Sequence, residues 1–201
     1  MPNFYDLRPA FQDLLHPIAR RLATAGVTAN QVTLSSLALS CLVGAAIAWH
    51  HDDSRILLLL PLTMFVLMSL NVIDGMLARE HNMTSNLGVI LNELGHVVSD
   101  AALYLPFALI PGLTSWLIIS IVVLAGLTEM TGLVAIQIGA SRRYDGPMGK
   151  RHRAFVFGSV ALILGVGIPT GAWLNAVMGI TLLLLVITIF NRARRSLAEA
   201  P

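Results

Sequence analysis

Six polar side chains lie close together in otherwise apolar sequence: Asn71, Asp74, Asn92, Glu93, His96 and Asp100. The first stretch reads Asn71-Val72-Ile73-Asp74-Gly75-Met76-Leu77-Ala78-Arg79, and the second begins at Gly88 and runs through Asn92-Glu93-Leu94-Gly95-His96 to Ser99-Asp100. On a helix, Asn92, Glu93, His96 and Asp100 fall within one arc of about 100°, and Asn71 and Asp74 share a face. Ionisable groups inside an apolar helix are costly and turn toward the protein interior, which makes them functional candidates. If the two faces meet, they offer a cluster of oxygen ligands and one imidazole, a set that suits Mg²⁺ or Mn²⁺. A buried structural charge is the alternative, and for Asp100 and Glu129 the two readings stand level.

The elements that must hold these residues are set by composition. Of 201 residues, 56% are hydrophobic and 12% charged, against about 25% charged in an average soluble domain. Such an excess points to a membrane protein. Apolar segments cover about 33–49, 56–72, 87–110, 114–138, 155–168 and 173–190, and each approaches the ~20 residues that cross a bilayer, the fifth being short. Breaks fall at His50–Asp53, Arg79–Asn82, Pro111-Gly112, a long basic loop over 139–153, and Pro169–Gly171. Before them, Phe4, Leu7, Phe11, Leu14, Leu15 and Ile18 recur at spacings of three and four. That periodicity predicts an amphipathic helix, lying on the membrane surface or packed on the bundle. The charges Asp6, Arg8, Asp13, Arg20 and Arg21 in the same segment do not fit a signal peptide. The expected fold is all-α: six transmembrane helices over 33–190, preceded by a cytoplasmic amphipathic segment (1–31) and followed by a tail (191–201), in one integral-membrane domain. The single cysteine, Cys41, excludes a disulfide framework.

Charge supplies the orientation. A net charge of +2 could suggest nucleic acid, but the basic residues sit in short loops without interleaved aromatics. With the N-terminus inside, twelve of the thirteen Lys and Arg fall on the cytoplasmic side and only Arg55 opposite. The positive-inside rule therefore places both termini and the polar cluster at the cytoplasmic face of the inner membrane.

The stretch 71–96 resembles the CDP-alcohol phosphotransferase (CDP-alcohol phosphatidyltransferase) family, whose signature is D-x-x-D-G-x-x-A-R-x8-G-x-x-x-D-x-x-x-D. Asp74, Gly75, Ala78, Arg79 and Gly88 match it, with the eight-residue spacer intact. Thr28-Ala29-Asn30-Gln31-Val32-Thr33 looks like the start of the family's first helix. The resemblance implies transfer of phosphatidyl from CDP-diacylglycerol to an alcohol with release of CMP, in a homodimer among membrane lipids. It also implies a pair of divalent metals held by four aspartates, the last of which deprotonates the acceptor. Here Asn71, Asn92 and His96 replace three of the four, leaving Asp74. An asparagine still offers a carbonyl oxygen, and histidine is a reasonable base near neutral pH. The resemblance thus assigns Asp74, Asn71, Asn92 and His96 to one or two Mg²⁺ or Mn²⁺ ions, His96 and Glu93 to catalysis, and Gly75, Ala78, Arg79 and Gly88 to the donor nucleotide. Glu93 and Asp100 are the groups that could restore negative charge.

The loop Ser141–Arg153 carries the chain's only lysine and four arginines. Relatives that use a phosphorylated polyol are basic in the corresponding region, so Arg142, Arg143, Lys150 and Arg153 are the candidates for an acceptor phosphate, glycerol 3-phosphate first. A topology signal or attraction to anionic headgroups explains the same charges. Two other functions stay open: a relative with lost or altered catalysis that binds the lipid nucleotide, and a transporter with Asp74, Glu93, His96, Asp100 and Glu129 as a relay. The last two apolar segments carry almost no polar residues, which counts against the transporter.

Overall fold

The computed structural model describes residues 7–201, with side chains from Phe11 onward. Phe4 and the side chains of Leu7 and Arg8 lie outside the described residues. Every regular element among these is helical: α1 Leu7–Thr24, α2 Ala29–Trp49, α3 Leu59–Glu80, α4 Asn86–Tyr104, α5 Ser115–Gln137, α6 Lys150–Gly165 and α7 Ala172–Glu199, with short 3₁₀ turns at Ser54–Leu58 and Leu105–Leu109. Contacts divide the chain into two compact units, one of residues up to Ser40 with Leu62–Ser99, the other of Cys41–Pro61 with Asp100–Pro201.

In the first unit, α1 buries Leu15 and Ala19 against Ala29, Val32, Ile73, Met76 and Leu77, leaving Leu14 and Ile18 exposed. The helix stops in a left-handed turn at Gly26 (φ 78°), where the Val27 N–H reaches back to the Leu22 carbonyl at 3.0 Å. A capping box starts α2: the Thr28 N–H donates to Gln31 Oε1 at 2.9 Å and the Gln31 N–H to Thr28 Oγ1 at 3.3 Å. Ser85 caps α4, its Oγ accepting from the Gly88 N–H at 2.9 Å. His16 Nε2 of α1 meets Glu80 Oε2 at the end of α3 at 2.8 Å.

In the second unit α5 packs along α7. Tyr104 stacks on Phe157 with centroids 4.0 Å apart, and Phe107 meets the same ring edge-on at 5.1 Å. Asn175 tethers the start of α7, donating to the Gly112 carbonyl at 2.8 Å and accepting from the Thr114 N–H at 2.9 Å.

Among the described residues four helical segments are long and apolar enough to cross a membrane: Ala29–Trp49, Ser54–Glu80, Ser115–Gln137 and Ala172–Glu199. Their outward side chains are apolar, Val123 being 57% and Leu183 60% exposed, as lipid-facing surfaces are. The other two expected spans form helices of different character. The segment 87–110 ends its α-helix at Tyr104, before the 3₁₀ turn holding Pro106, and α4 carries Asn92, Glu93, His96 and Asp100. The segment 155–168 belongs to a helix of 16 residues, about 24 Å long, whose first turn is Lys150-Arg151-His152-Arg153. The basic loop therefore ends at Gly149: the amides of His152 and Arg153 bond the Gly149 carbonyl at 3.0 and 3.1 Å, putting Lys150 and Arg153 on α6.

Candidate active site

Within the first unit three helices converge on Thr33. Its Oγ1 lies 3.0 Å from Asp74 Oδ2 on α3 and 3.1 Å from the Ala29 carbonyl one turn back on α2. Its methyl lies 3.9 Å from where a Cβ on Gly95 of α4 would stand. Gly95 is buried, and Asp74, Asn92, Glu93 and His96 are half-buried, while Asn71 is exposed. A second contact ties the same helices: Asn30 Nδ2 donates to Ser85 Oγ at 3.3 Å, and a Cβ on Gly88 would stand 2.6 Å from Asn30 Oδ1. Arg79 folds back along α3, its Nη2 3.0 Å from the position of a Cβ on Gly75. Ala78 packs against the core of this unit.

Asp74, Gly88 and Gly95 are thus gathered around the first turns of α2. Asp74, Glu93 and His96 do not assemble as a set: among the described residues no three His, Cys, Asp or Glu side chains come together as a metal-holding group. The donors on these helix faces are the carboxylates of Asp74 and Glu93, the amide oxygens of Asn71 and Asn92 and the His96 imidazole, mostly hard oxygen chemistry that fits Mg²⁺ or Mn²⁺, with Asp74 the one carboxylate at the four family positions.

The basic segment is built differently. Arg153, 1% exposed, places Nη2 at 2.8 Å from Asp100 Oδ2 and 3.2 Å from Glu129 Oε1. Its Nη1 donates to Thr128 Oγ1 at 3.2 Å. Arg192, 2% exposed, lies 3.7 Å from Glu129 Oε2 and donates to the carbonyls of Asp145 and Thr128. Arg143 pairs with Glu199 and donates to the Arg195 carbonyl at 3.0 Å. Arg142 stacks over Tyr144, 5.0 Å from the ring centroid. Asp100 therefore gives its charge to Arg153.

In the sequence Thr33 has no readable role, Arg192 reads only as a topology charge, and nothing singles out Ser85. Thr33 carried one faint signal, its place just past a T-x-x-Q capping box. No local signal marks Ser85 as the partner of Asn30, 55 residues away.

The CDP-alcohol phosphatidyltransferase family model matches residues 26–191. Inner membrane protein YnbA of Escherichia coli (strain K12) is 43% identical over 192 residues, 96% of this chain and 95% of that protein. Phosphatidylinositol phosphate synthase of Mycobacterium tuberculosis with CDP-DAG bound aligns at a TM-score of 0.78 and 18% identity, covering 92% of this chain and 94% of that one. The same synthase in complex with manganese and citrate gives 0.77 at 18% identity, over 93% and 90% of the two chains. At such identity these two structures establish a shared fold.

Proposed function

The chain belongs to the CDP-alcohol phosphatidyltransferase family, and from that premise we propose that it transfers phosphatidyl from CDP-diacylglycerol to an alcohol, releasing CMP. The observation that carries this reading is the Thr33–Asp74 contact between α2 and α3, with Gly75 next to Asp74 in the chain and Gly88 packed against Asn30 on the same helix as Thr33. Kinship with an E. coli inner membrane protein and the apolar helices support a place in the inner membrane. The proposed topology is six crossings, α4 and α6 being the two shorter ones, with both termini cytoplasmic and a homodimer as the assembled form.

A divalent cation, Mg²⁺ or Mn²⁺, would neutralise charge on the pyrophosphate and on the departing CMP. Asp74 would hold it, with the amide oxygens of Asn71 and Asn92. Arg79 binds a donor phosphate as a planar two-pronged cation, and Gly75, Ala78 and Gly88 let the nucleotide approach the backbone. His96 takes the proton of the acceptor hydroxyl as its oxygen bonds to the phosphatidyl phosphorus and the bond from that phosphorus to CMP breaks. Glu93 stands one turn before it on α4. The proposed acceptor is glycerol 3-phosphate or a similar phosphorylated polyol, its phosphate met by Arg142, Arg143 and Lys150, while Arg153 is taken up inside the protein by Asp100 and Glu129. At Arg143 the phosphate competes with Glu199.

The test is CMP release from CDP-diacylglycerol by purified protein in detergent, with Mg²⁺ or Mn²⁺, against glycerol 3-phosphate, inositol phosphate, inositol and serine. Metal-dependent release with one acceptor is the expected result, reduced about a thousandfold or more in Asp74→Ala. Full activity in Asp74→Ala would sink the assignment. Asn71 and Asn92 at two aspartate positions favour one second reading, a relative that binds the lipid nucleotide without turning it over; donor binding with no CMP release for any acceptor would establish it.

A further inference from the structure

We propose that this site binds one divalent cation per chain rather than two, through Asp74, and that Thr33 is the positioning residue that sets the orientation of that carboxylate. The inference rests on the transferase reading for the identity of the group bound, and it concerns what this chain's own residues can hold.

The donor count argues for one ion. Repulsion between two nearby cations scales with the product of their charges and must be offset by anionic ligands. At the four aspartate positions of the family this chain has Asn71, Asp74, Asn92 and His96, one formal negative charge. Glu93, half-buried on α4, is off those four positions, and among the described residues no trio of His, Cys, Asp or Glu side chains forms a metal-holding group. Asp100, the nearest carboxylate along α4 beyond Glu93, is bound to Arg153 at 2.8 Å. A lone carboxylate is nonetheless an ordinary way to hold Mg²⁺ or Mn²⁺ when substrate phosphates supply the remaining charge. Binding at this site should therefore depend on the nucleotide.

With one anionic ligand, its orientation matters more than in a site with several. Thr33 fixes it from both ends. The branched Cβ restricts χ1; its methyl points to buried Gly95 and its hydroxyl to Asp74 Oδ2 at 3.0 Å. That hydroxyl has one proton and two acceptors within reach, Asp74 and the Ala29 carbonyl at 3.1 Å. An ionised carboxylate is the stronger acceptor, so the proton goes to Asp74. Oδ2 is thereby engaged, and the carboxylate plane, with the direction of Oδ1, is set by α2.

The experiment is a Mn²⁺ titration of the full chain in detergent, followed by electron paramagnetic resonance, with and without CDP. We expect one Mn²⁺ per chain with the six-line spectrum of an isolated ion, and affinity at least about tenfold higher with CDP present. Asp74→Asn should abolish the CDP-dependent binding. Thr33→Val, which keeps the methyl and replaces the hydroxyl by a second one, should weaken it roughly tenfold, while Thr33→Ser should bind within about twofold of the parent. Two ions per chain with an exchange-coupled spectrum would overturn the proposal, as would Thr33→Val binding like the parent or the absence of CDP-dependent Mn²⁺ binding. Turnover with a coupled pair would leave the transferase reading intact and remove this one. A single bound ion without CMP release for any acceptor would do the reverse.

Discussion

Asp74 and Asp100 are both carboxylates on apolar helices, and they are held in opposite ways. Asp74 is half-buried and bonded to a neutral hydroxyl, Thr33 Oγ1 at 3.0 Å. Asp100 is 7% exposed and bonded twice to a guanidinium, by Arg153 Nη2 at 2.8 Å and Nε at 3.2 Å. Around Asp100 two buried cations, Arg153 and Arg192, face two anions, Asp100 and Glu129, so charge is balanced inside the protein. A hydroxyl orients Asp74 and leaves its negative charge uncompensated. The first arrangement suits a group that must meet something from outside, and the second suits a fixed scaffold.

The comparison breaks most visibly at Arg153. Removing one partner of a buried ion pair leaves the other charge stranded and costs about 3–5 kcal/mol. Arg153→Ala should lower the thermal unfolding midpoint in detergent by about ten degrees, while Asp74→Asn should shift it by no more than about two. Pairing Arg153→Met with Asp100→Asn should recover part of the loss, because neither charge is then left alone. If Asp74→Asn proved as destabilising as Arg153→Ala, the distinction between the two carboxylates would collapse.

The two regions were also unequally legible. Asp74, Gly75, Ala78, Arg79 and Gly88 could be read because they follow one another at fixed spacing along two adjacent helices. Helical periodicity also placed Asp74 and His96 on polar faces. Periodicity names a face and not the partner across from it. The contact between Thr33 and Asp74 joins positions 41 apart in sequence, and that between Asp100 and Arg153 positions 53 apart, so neither leaves a local trace. Arg153 looked like a loop cation because Gly146, Pro147 and Gly149 punctuate that stretch. The helix starts immediately after Gly149, and its first turn turns Arg153 inward. The span count depended on the same limitation, since an apolar run reveals neither where its helix stops nor how polar one face can be.

Gly88 sharpens the comparison at a smaller scale, because two explanations compete for it. A Cβ there would stand 2.6 Å from Asn30 Oδ1, so the glycine could serve helix packing alone; the proposed function instead needs it for approach of the nucleotide. In Gly88→Ala, the gain in helix propensity of up to about 1 kcal/mol opposes the displacement of Asn30 from Ser85, a loss of similar size. Stability should change little. CMP release should fall roughly tenfold, and it should stay low when Asn30→Ala is added to relieve the overlap. Recovery of activity in the double variant would assign Gly88 to packing and detach it from the donor site.

The smallest effect is expected at the rim of the charged region. Arg143 lies between Glu199, whose carboxylate also accepts from the Ser141 amide at 3.0 Å, and Asp145 at 3.9 Å. Glu199 is exposed, so its hold on Arg143 is screened by solvent and salt and adds little to stability. If Arg143 meets the acceptor phosphate, Glu199 competes with that phosphate for the same guanidinium. Glu199→Ala should then lower the KM for glycerol 3-phosphate by about twofold at low salt, leave kcat unchanged, and lose the effect as ionic strength rises and screens both partners. The neutral acceptor inositol offers Arg143 no anion and should show no change. A KM for glycerol 3-phosphate that is indifferent to Glu199 at every salt concentration would take Arg143 out of the acceptor site and class it with Arg153, a cation whose partners lie within the fold.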